Sequence, residues 1–449
     1  MRKKALLLII LFIAIILDNS CRNKNQSQPV LAANDIAKVI DQMSGIMIHD
    51  ITNPPLAARF FSYTCLAGYE IVSENDKTEK SMHGILNEYP DIKKPSYANG
   101  YNYQLSALIA MMETAGKLQP SGSLMIKYEQ TFLDSCRKIG FTDEVIDSSK
   151  HYAQAISNQI MAYAKKDKYN RISNYTRYTP LGKDSTWYPT PPAYMAPVEP
   201  YFNTIRPFTL DSSSQFKVSR PIPFSTDKRS EFYKYMLRCY QSGGSALTPE
   251  HRTIAAFWDC NPFAVQDNGH MLIGLKKISP GAHWLGITGI ACRQTKTGFS
   301  KALEIHTVVS IGLMDSFMCC WDEKYRSNRI RPETAIRKYI DPNWRPLLQT
   351  PPFPEYLSGH SCISSTSAVI LTSYFGDSLH FTDNVEEKYG LHPRSFSSFN
   401  QAAAEAGMSR FWGGIHFEDA INSGMKQGTE VGEWVVNKVK LKAINNNNH

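Results

Sequence analysis

The chain has 449 residues, 42% of them hydrophobic and 20% charged, with a formal net charge of +8. That length can bury a large core, as two packed lobes or one large helical domain. The excess of Lys and Arg is interspersed and forms no basic stripe with interleaved aromatics, which argues against a nucleic-acid surface and leaves an anionic substrate or a lipid surface.

At the N-terminus, Arg2, Lys3 and Lys4 precede an unbroken apolar run over residues 5–17, too short to span a bilayer. Ser20-Cys21 closes this segment, and the composition then turns polar. Residues 1–21 are thus expected to be an export signal of bacterial lipoprotein type. Cys21 would be the lipidated residue, and the chain would be anchored by its lipid in the periplasm or at the cell exterior. Asp18 stands where such signals usually carry an apolar residue, so an ordinarily cleaved signal and an uncleaved anchor stay open. Residues 22–35 are expected to be a flexible tether.

From residue 36 to 168 helical periodicity predicts an N-terminal helical lobe. Its helices are expected over residues 54–73, 105–118, 122–140 and from an N-cap at Thr142 to about 166. Residues 169–223 hold Pro180, Pro189, Pro191, Pro192, Pro197, Pro200, Pro207, Pro221 and Pro223, which rule out a long helix. Trp187, Tyr188, Tyr194, Tyr201, Phe202, Phe208 and Phe216 argue against disorder, so an ordered extended segment is expected.

A C-terminal helical domain is expected over residues 224–441, with helices at 230–240 and after Thr248-Pro249-Glu250, and a disordered tail over 442–449. The apolar stretch 308–321, interrupted by Asp315, reads as a core helix. Strand-like alternation is scarce, so the fold class expected is all-α. Beyond Cys21 the other cysteines are Cys65, Cys136, Cys239, Cys260, Cys292, Cys319, Cys320 and Cys362. None sits in a CxxC pair, so no zinc or iron–sulfur site is expected from spacing, and they read as buried thiols.

Three blocks near the C-terminus carry chemistry. Lys324 and Arg331 are about two helical turns apart, which would bring a point charge and a forked guanidinium to one face, with Pro332 ending or kinking the helix. Ser358-Gly359-His360 follows the run Pro351-Pro352-Phe353-Pro354-Glu355-Tyr356-Leu357 and precedes a small-residue helix. Gly359 is then at a helix N-terminus, which favours anions, and His360 is a candidate acid/base. In the third block Ser409-Arg410 precedes Gly413-Gly414 and His416. There the glycines would let the backbone approach a ligand, and Asp419 could accept from the far ring nitrogen of His416. Each block alone is compatible with a helix end, a capping turn or a core histidine. In this order they assemble cations, imidazoles, a hydroxyl and a glycine N–H suited to phosphate or vanadate.

The set resembles the superfamily of vanadium-dependent haloperoxidases and type 2 phosphatidic-acid and acid phosphatases, whose blocks read Lys-x6-Arg-Pro, Pro-Ser-Gly-His and Ser-Arg-x5-His. The likeness covers roughly residues 180–435 and includes Trp187-Tyr188-Pro189-Thr190-Pro191-Pro192, similar to soluble bacterial haloperoxidase-like members. It implies an all-helical bundle. Lys324, Arg331, Ser358, Gly359 and Arg410 would bind the oxyanion's oxygens. His416 would be the axial ligand of vanadate or the nucleophile toward phosphorus, and His360 the acid/base. Leu357 departs from the usual proline, and Asp419 stands three positions after His416 where the family has four. Trp321 and Phe353 fall where chloride-oxidising members place halide-pocket aromatics. The resemblance thus implies halide oxidation with hydrogen peroxide on vanadate. It leaves open phosphoester hydrolysis in the same pocket, and a non-catalytic anion-binding lipoprotein.

Overall fold

The computed structural model describes residues 29–243, 247–267 and 270–445, with side chains through 440. The expected signal segment, with Cys21 and residues 22–28 of the tether, lies outside the described residues. So do residues 446–449 of the expected tail. Of the tether's remainder, Leu31 is buried and a helix already begins at Ala33. The last helix runs to Asn445, into the stretch expected to be a disordered tail.

Among the described residues there are thirteen α-helices and two short hairpins. The N-terminal group comprises α1 (Ala33–His49), α2 (Pro54–Asn75), α3 (Tyr103–Leu118), α4 (Ser123–Lys138) and α5 (Asp143–Lys165). Caps fix several of their starts: Asn53 accepts from the N–H of Leu56, Asn102 from Leu105 and Thr142 from Val145. After the proline-rich segment come α6 (Glu231–Ser242) and α7 (Pro249–Phe257), then the hairpin β1 (Val265–Asp267) and β2 (Leu272–Gly274). The order continues with α8 (Pro280–Gln294), α9 (Phe299–Ser327), α10 (Pro332–Tyr339) and α11 (Gly359–Phe375). A second hairpin, β3 (Phe381–Asp383) and β4 (Arg394–Phe396), precedes α12 (Phe399–Trp412) and α13 (Glu418–Asn445).

The central element is α9. It is long and apolar enough to cross a membrane, but its apolar stretch is wholly buried inside the fold, against α2, α8, α11 and α13. One hydrophobic core runs from Leu31 to Val435 and includes side chains of both helical groups. Across it, the Ser62 hydroxyl of α2 donates to the Ser310 carbonyl of α9 at 2.7 Å.

Two glycines let α13 press against the start of α11. A Cβ at Gly428 would lie 2.0 Å from the Cys362 carbonyl oxygen, and one at Gly424 would lie 2.9 Å from that of Ser358. This approach fixes the N-terminus of α11, where the candidate site begins.

The proline-rich segment is ordered and packed. Trp187, Phe202, Phe208 and Leu210 are buried. Asp315 of α9 accepts from the N–H groups of Phe208 and Thr209 at 2.8 Å each, and burial lifts its carboxyl to about 6. Val198 donates to the Pro352 carbonyl, and the Val198 carbonyl accepts from Trp321 and Tyr325. The segment therefore straps the loop that leads into α11.

Candidate active site

Lys324 and Arg331 converge by a different route from the one expected. Helix α9 ends at Ser327, with Asn328 in the left-handed conformation, so the two residues do not share a helix. Arg331 instead precedes α10, and Pro332 starts that helix at its first position, where a missing N–H costs nothing. The turn between them brings both side chains to the 353–357 loop. Lys324 Nζ donates to the carbonyls of Pro354 and Glu355 at 3.0 and 3.1 Å, and to that of Leu357. Its three N–H bonds are thereby committed, so it offers the site charge in place of a free donor. Burial, with Arg331 nearby, lowers Lys324 to about 8.

Arg331 is fully buried. Its Nε donates to the Phe353 carbonyl at 2.9 Å, and its Nη1 to the Ile415 carbonyl at 2.9 Å and to His416 Nε2 at 3.1 Å. Its Nη2 has no partner. Burial pulls the guanidinium down to about 9, which leaves it charged at neutral pH.

Ser358 caps α11. Its hydroxyl oxygen accepts from the Ser361 N–H at 3.3 Å and the Ser361 hydroxyl at 2.8 Å, and neither contact uses its own proton. Gly359 and His360 open the helix, where N–H groups lack intrahelical acceptors and the dipole favours an anion. His360 hydrogen-bonds the Trp258 carbonyl, and its Nε2 is buried without a partner. Burial first, then the Arg410 charge, holds its imidazole well below the ordinary value and hence neutral.

Arg410, near the end of α12, donates through Nη1 to the Trp258 carbonyl and places Nη2 3.6 Å from Asp259. Its Nε is a further buried donor without a partner. Gly413 and Gly414 do not face the site as expected. A Cβ on Gly413 would strike Leu348 at 2.7 Å, and Gly414, at φ +74°, lies against Trp344 and Pro346. They serve packing and the turn that delivers His416.

His416 is oriented by a residue that local spacing did not reveal. Its Nδ1 is 2.9 Å from Glu355 Oε1, which also accepts from the Phe417 N–H at 2.9 Å. Since the carboxylate accepts, Nδ1 carries the proton and Nε2 keeps its lone pair, the tautomer being assigned from these bonds. Burial, reinforced by Arg331, depresses the imidazole well below its usual value.

Asp419 does not touch His416. It binds Arg329 in a fork, at 2.6 and 2.8 Å, and Arg329 Nε in turn donates to Glu355 Oε2 at 2.6 Å. One helical turn beyond His416 the Asp419 carboxylate meets this guanidinium, so it supports the histidine only through Arg329 and Glu355. The expected direct contact is therefore corrected. Glu355, Arg329 and the Trp258-Asp259 pair were not singled out from sequence. The one available signal was the lone acid inside the proline-aromatic run.

The pocket so formed is lined by Trp321, Phe353, Gly359, His360, Arg410 and His416, together with Cys260, Asn261 and apolar residues. Its cavity volume is ≈ 30 Å³, a small space that excludes a macromolecule. Trp321 and Phe353 stand with ring centroids 4.9 Å apart, and the Phe353 ring lies 5.0 Å from both Lys324 Nζ and the Arg331 guanidinium carbon. The donor set fits a small tetrahedral oxyanion. Arg331 Nη2 and Arg410 Nε are charged donors left orphaned, and the first turn of α11 adds N–H groups.

Residues 304–445 match the family model described as the second helical-bundle domain of VCPO. A solved bacterial vanadium-dependent iodoperoxidase is 41% identical with a TM-score of 0.85, over 92% of this chain and 98% of that one. An apo-type bacterial vanadium-dependent chloroperoxidase superposes with a TM-score of 0.64 at 15% identity, over 87% of this chain and 95% of that one. Its holo-type counterpart gives 0.59 at 15%, over 93% and 94%. At that identity the two chloroperoxidases speak for the fold alone. No curated protein matches.

Proposed function

The chain belongs to the vanadium-dependent haloperoxidase family and is an enzyme of that type, and from that premise we propose that it oxidises iodide with hydrogen peroxide in the pocket around His416. Iodide is chosen because the solved structure with 41% identity is an iodoperoxidase. The observation that carries the reading is a set of buried polar atoms without partners, Arg331 Nη2, Arg410 Nε and His360 Nε2, on residues that line the pocket with His416 or, for Arg331, hydrogen-bond its Nε2.

In this reading Arg331, Arg410, Ser358 and the Gly359 N–H would hold the oxygens of vanadate, and His416 Nε2, giving up its hydrogen bond from Arg331 Nη1, would bind the vanadium. Lys324 contributes charge from behind. Vanadate, when bound, activates peroxide as a Lewis acid for attack by halide. His360, neutral and with its Nε2 unpartnered, would take up and return a proton at that nitrogen. Glu355 holds the tautomer that leaves His416 Nε2 unprotonated. Trp321 and Phe353 form the apolar wall against which the halide sheds water.

We also propose that residues 1–21 are a lipoprotein signal with Cys21 as the lipidated residue and that the protein is displayed outside the cytoplasm, on the basic, apolar and Ser20-Cys21 blocks of that segment.

The test is triiodide formation from iodide and peroxide by chain stripped of bound anions, before and after vanadate addition. Activity that appears only with vanadate, and is absent in His416→Ala, supports the reading. Hydrolysis of p-nitrophenyl phosphate that vanadate inhibits, without halide oxidation, would assign the pocket to phosphoester cleavage. Anion binding with neither activity would leave a binding module.

A further inference from the structure

At the wall of the oxyanion pocket, which Cys260 lines, Cys260, His283 and Glu386 bring three metal-ligating atoms to one buried point, and we propose that they form a zinc site distinct from the vanadate-binding residues. Cys260 Sγ lies 3.3 Å from His283 Nδ1 and 3.7 Å from Glu386 Oε1, and that oxygen lies 3.7 Å from Nδ1. Tetrahedral zinc holds thiolate, imidazole and carboxylate atoms at about 2.0–2.3 Å, which places them about 3.3–3.6 Å from one another. The triangle already has nearly those edges.

The far side of the imidazole matches as well. His283 Nε2 is 2.7 Å from Asp383 Oδ2, so that ring proton faces the carboxylate, and Nδ1, protonated in the metal-free protein, faces the triangle. A ligating histidine ordinarily donates its second N–H to a carboxylate in this way, which fixes ring and tautomer. Inside the triangle an imidazole nitrogen, a carboxylate oxygen and a sulfur crowd one another with only the Nδ1 and thiol protons between them. All the side chains involved are buried, so water does not relieve that arrangement. A divalent cation does: Cys260 Sγ and His283 Nδ1 each release a proton to solvent, and sulfur, nitrogen and oxygen each give a lone pair to the metal. Three protein ligands leave a fourth position for water.

The placement gives the site a purpose. Cys260 follows Trp258 and Asp259, whose carbonyl and carboxylate hold Arg410, and the same Trp258 carbonyl holds His360. A metal at Cys260 would pin this stretch to α8 through His283 and to the turn after β3 through Glu386. It would thereby fix two groups of the oxyanion pocket. No spacing in the sequence announces such a site, because its ligands come from three distant stretches.

The experiment loads the full chain with zinc, removes loose metal by dialysis and measures zinc per chain. It then repeats the loading with Co²⁺ and records the near-ultraviolet thiolate-to-cobalt band. Expected are about one zinc per chain and a cobalt band for the unaltered protein, and less than about a tenth of that for Cys260→Ser and Glu386→Gln. Cys239→Ser, which removes a buried thiol elsewhere, should keep both. Unaltered protein that retains no zinc and shows no band has a hydrogen-bonded cluster only, which overturns the proposal whether or not the variants fold. A band that survives Cys260→Ser overturns it too. Neither readout depends on vanadate or on halide oxidation, so failure here is distinct from failure of the proposed activity.

Discussion

Glu355 Oε1 sits 2.9 Å from His416 Nδ1, while Oε2 of the same carboxylate takes the Nε of Arg329 at 2.6 Å. One buried acid thus sets the tautomer of the imidazole and neutralises the guanidinium behind it. Glu355→Gln keeps the shape but removes the charge and puts an amide N–H where only an acceptor belongs. Halide oxidation is expected to fall about 10–100-fold, with weaker vanadate binding, as for other partners of ligating histidines. Asp419→Asn, one link further out, should cost less than Glu355→Gln. Steady-state rates and vanadate titrations on both variants check this, and an equal or larger loss in Asp419→Asn would restore Asp419 as the orienting residue.

Arg331 is held buried with a donor unused, and burial lowers its ordinary value, both signs that its place in the apo protein is costly. Arg331→Met should therefore destabilise the apo protein by no more than about 1–3 kcal/mol, since relief of the uncompensated buried charge offsets part of the cost of leaving the Phe353 and Ile415 carbonyls without a donor. Vanadate binding should be lost in the same variant. Urea unfolding and vanadate titration measure the two effects separately. A large stability loss would assign Arg331 to the scaffold, through the Phe353 and Ile415 carbonyls.

How far the sequence could be read follows the range of the interactions. Helices such as α5 were legible because Thr142 and the apolar periodicity after it are local. The N-terminal position of Gly359 was legible for the same reason, Ser358 being its cap. Asp419 was assigned to His416 because helical spacing sees only neighbours along the chain, whereas the acid that binds the ring comes from the loop before α11. Pro332 was read as a helix end because proline disfavours the residue before it, a property that equally marks a helix start. Gly413 and Gly414 carried no signal to separate close approach to a ligand from close approach to Leu348 and Trp344.

The two site imidazoles make stability depend on pH with a defined sign. His360 and His416 are both held well below their ordinary value of 6.5, chiefly by burial. Below that value the unfolded chain takes up protons that the folded chain refuses, so stability is complete above it and is lost as pH falls. His306, pushed down to about 4 by burial, acts in the same direction, whereas His283, raised beside Asp383, acts in the opposite one. Both are common to the parent and to His416→Gln, so comparison of these apo proteins isolates His416. The variant should lack one proton of the dependence, a slope shallower by about 1.4 kcal/mol per pH unit below 6.5. Unfolding curves at a series of pH values test it, and parallel slopes would mean that His416 is protonated in the fold.

The Trp321–Phe353 wall should decide between halides. Iodide is the most weakly hydrated of the common halides and loses least on leaving water, so an apolar wall favours it over bromide. Phe353 lines the pocket, and its main-chain carbonyl holds Arg331 whatever side chain it carries. Phe353→Leu keeps the wall apolar and should retain the preference for iodide. Phe353→Ser admits water and removes a contribution of about 1.5–3 kcal/mol from apolar burial at that position. The ratio of kcat/KM for iodide to that for bromide is therefore expected to drop about tenfold in the serine variant, which corresponds to about 1.4 kcal/mol. Both substitutions also loosen packing against Trp321, so the ratio is the informative readout. A packing role alone would depress kcat/KM for the two halides in proportion and leave the ratio where it was.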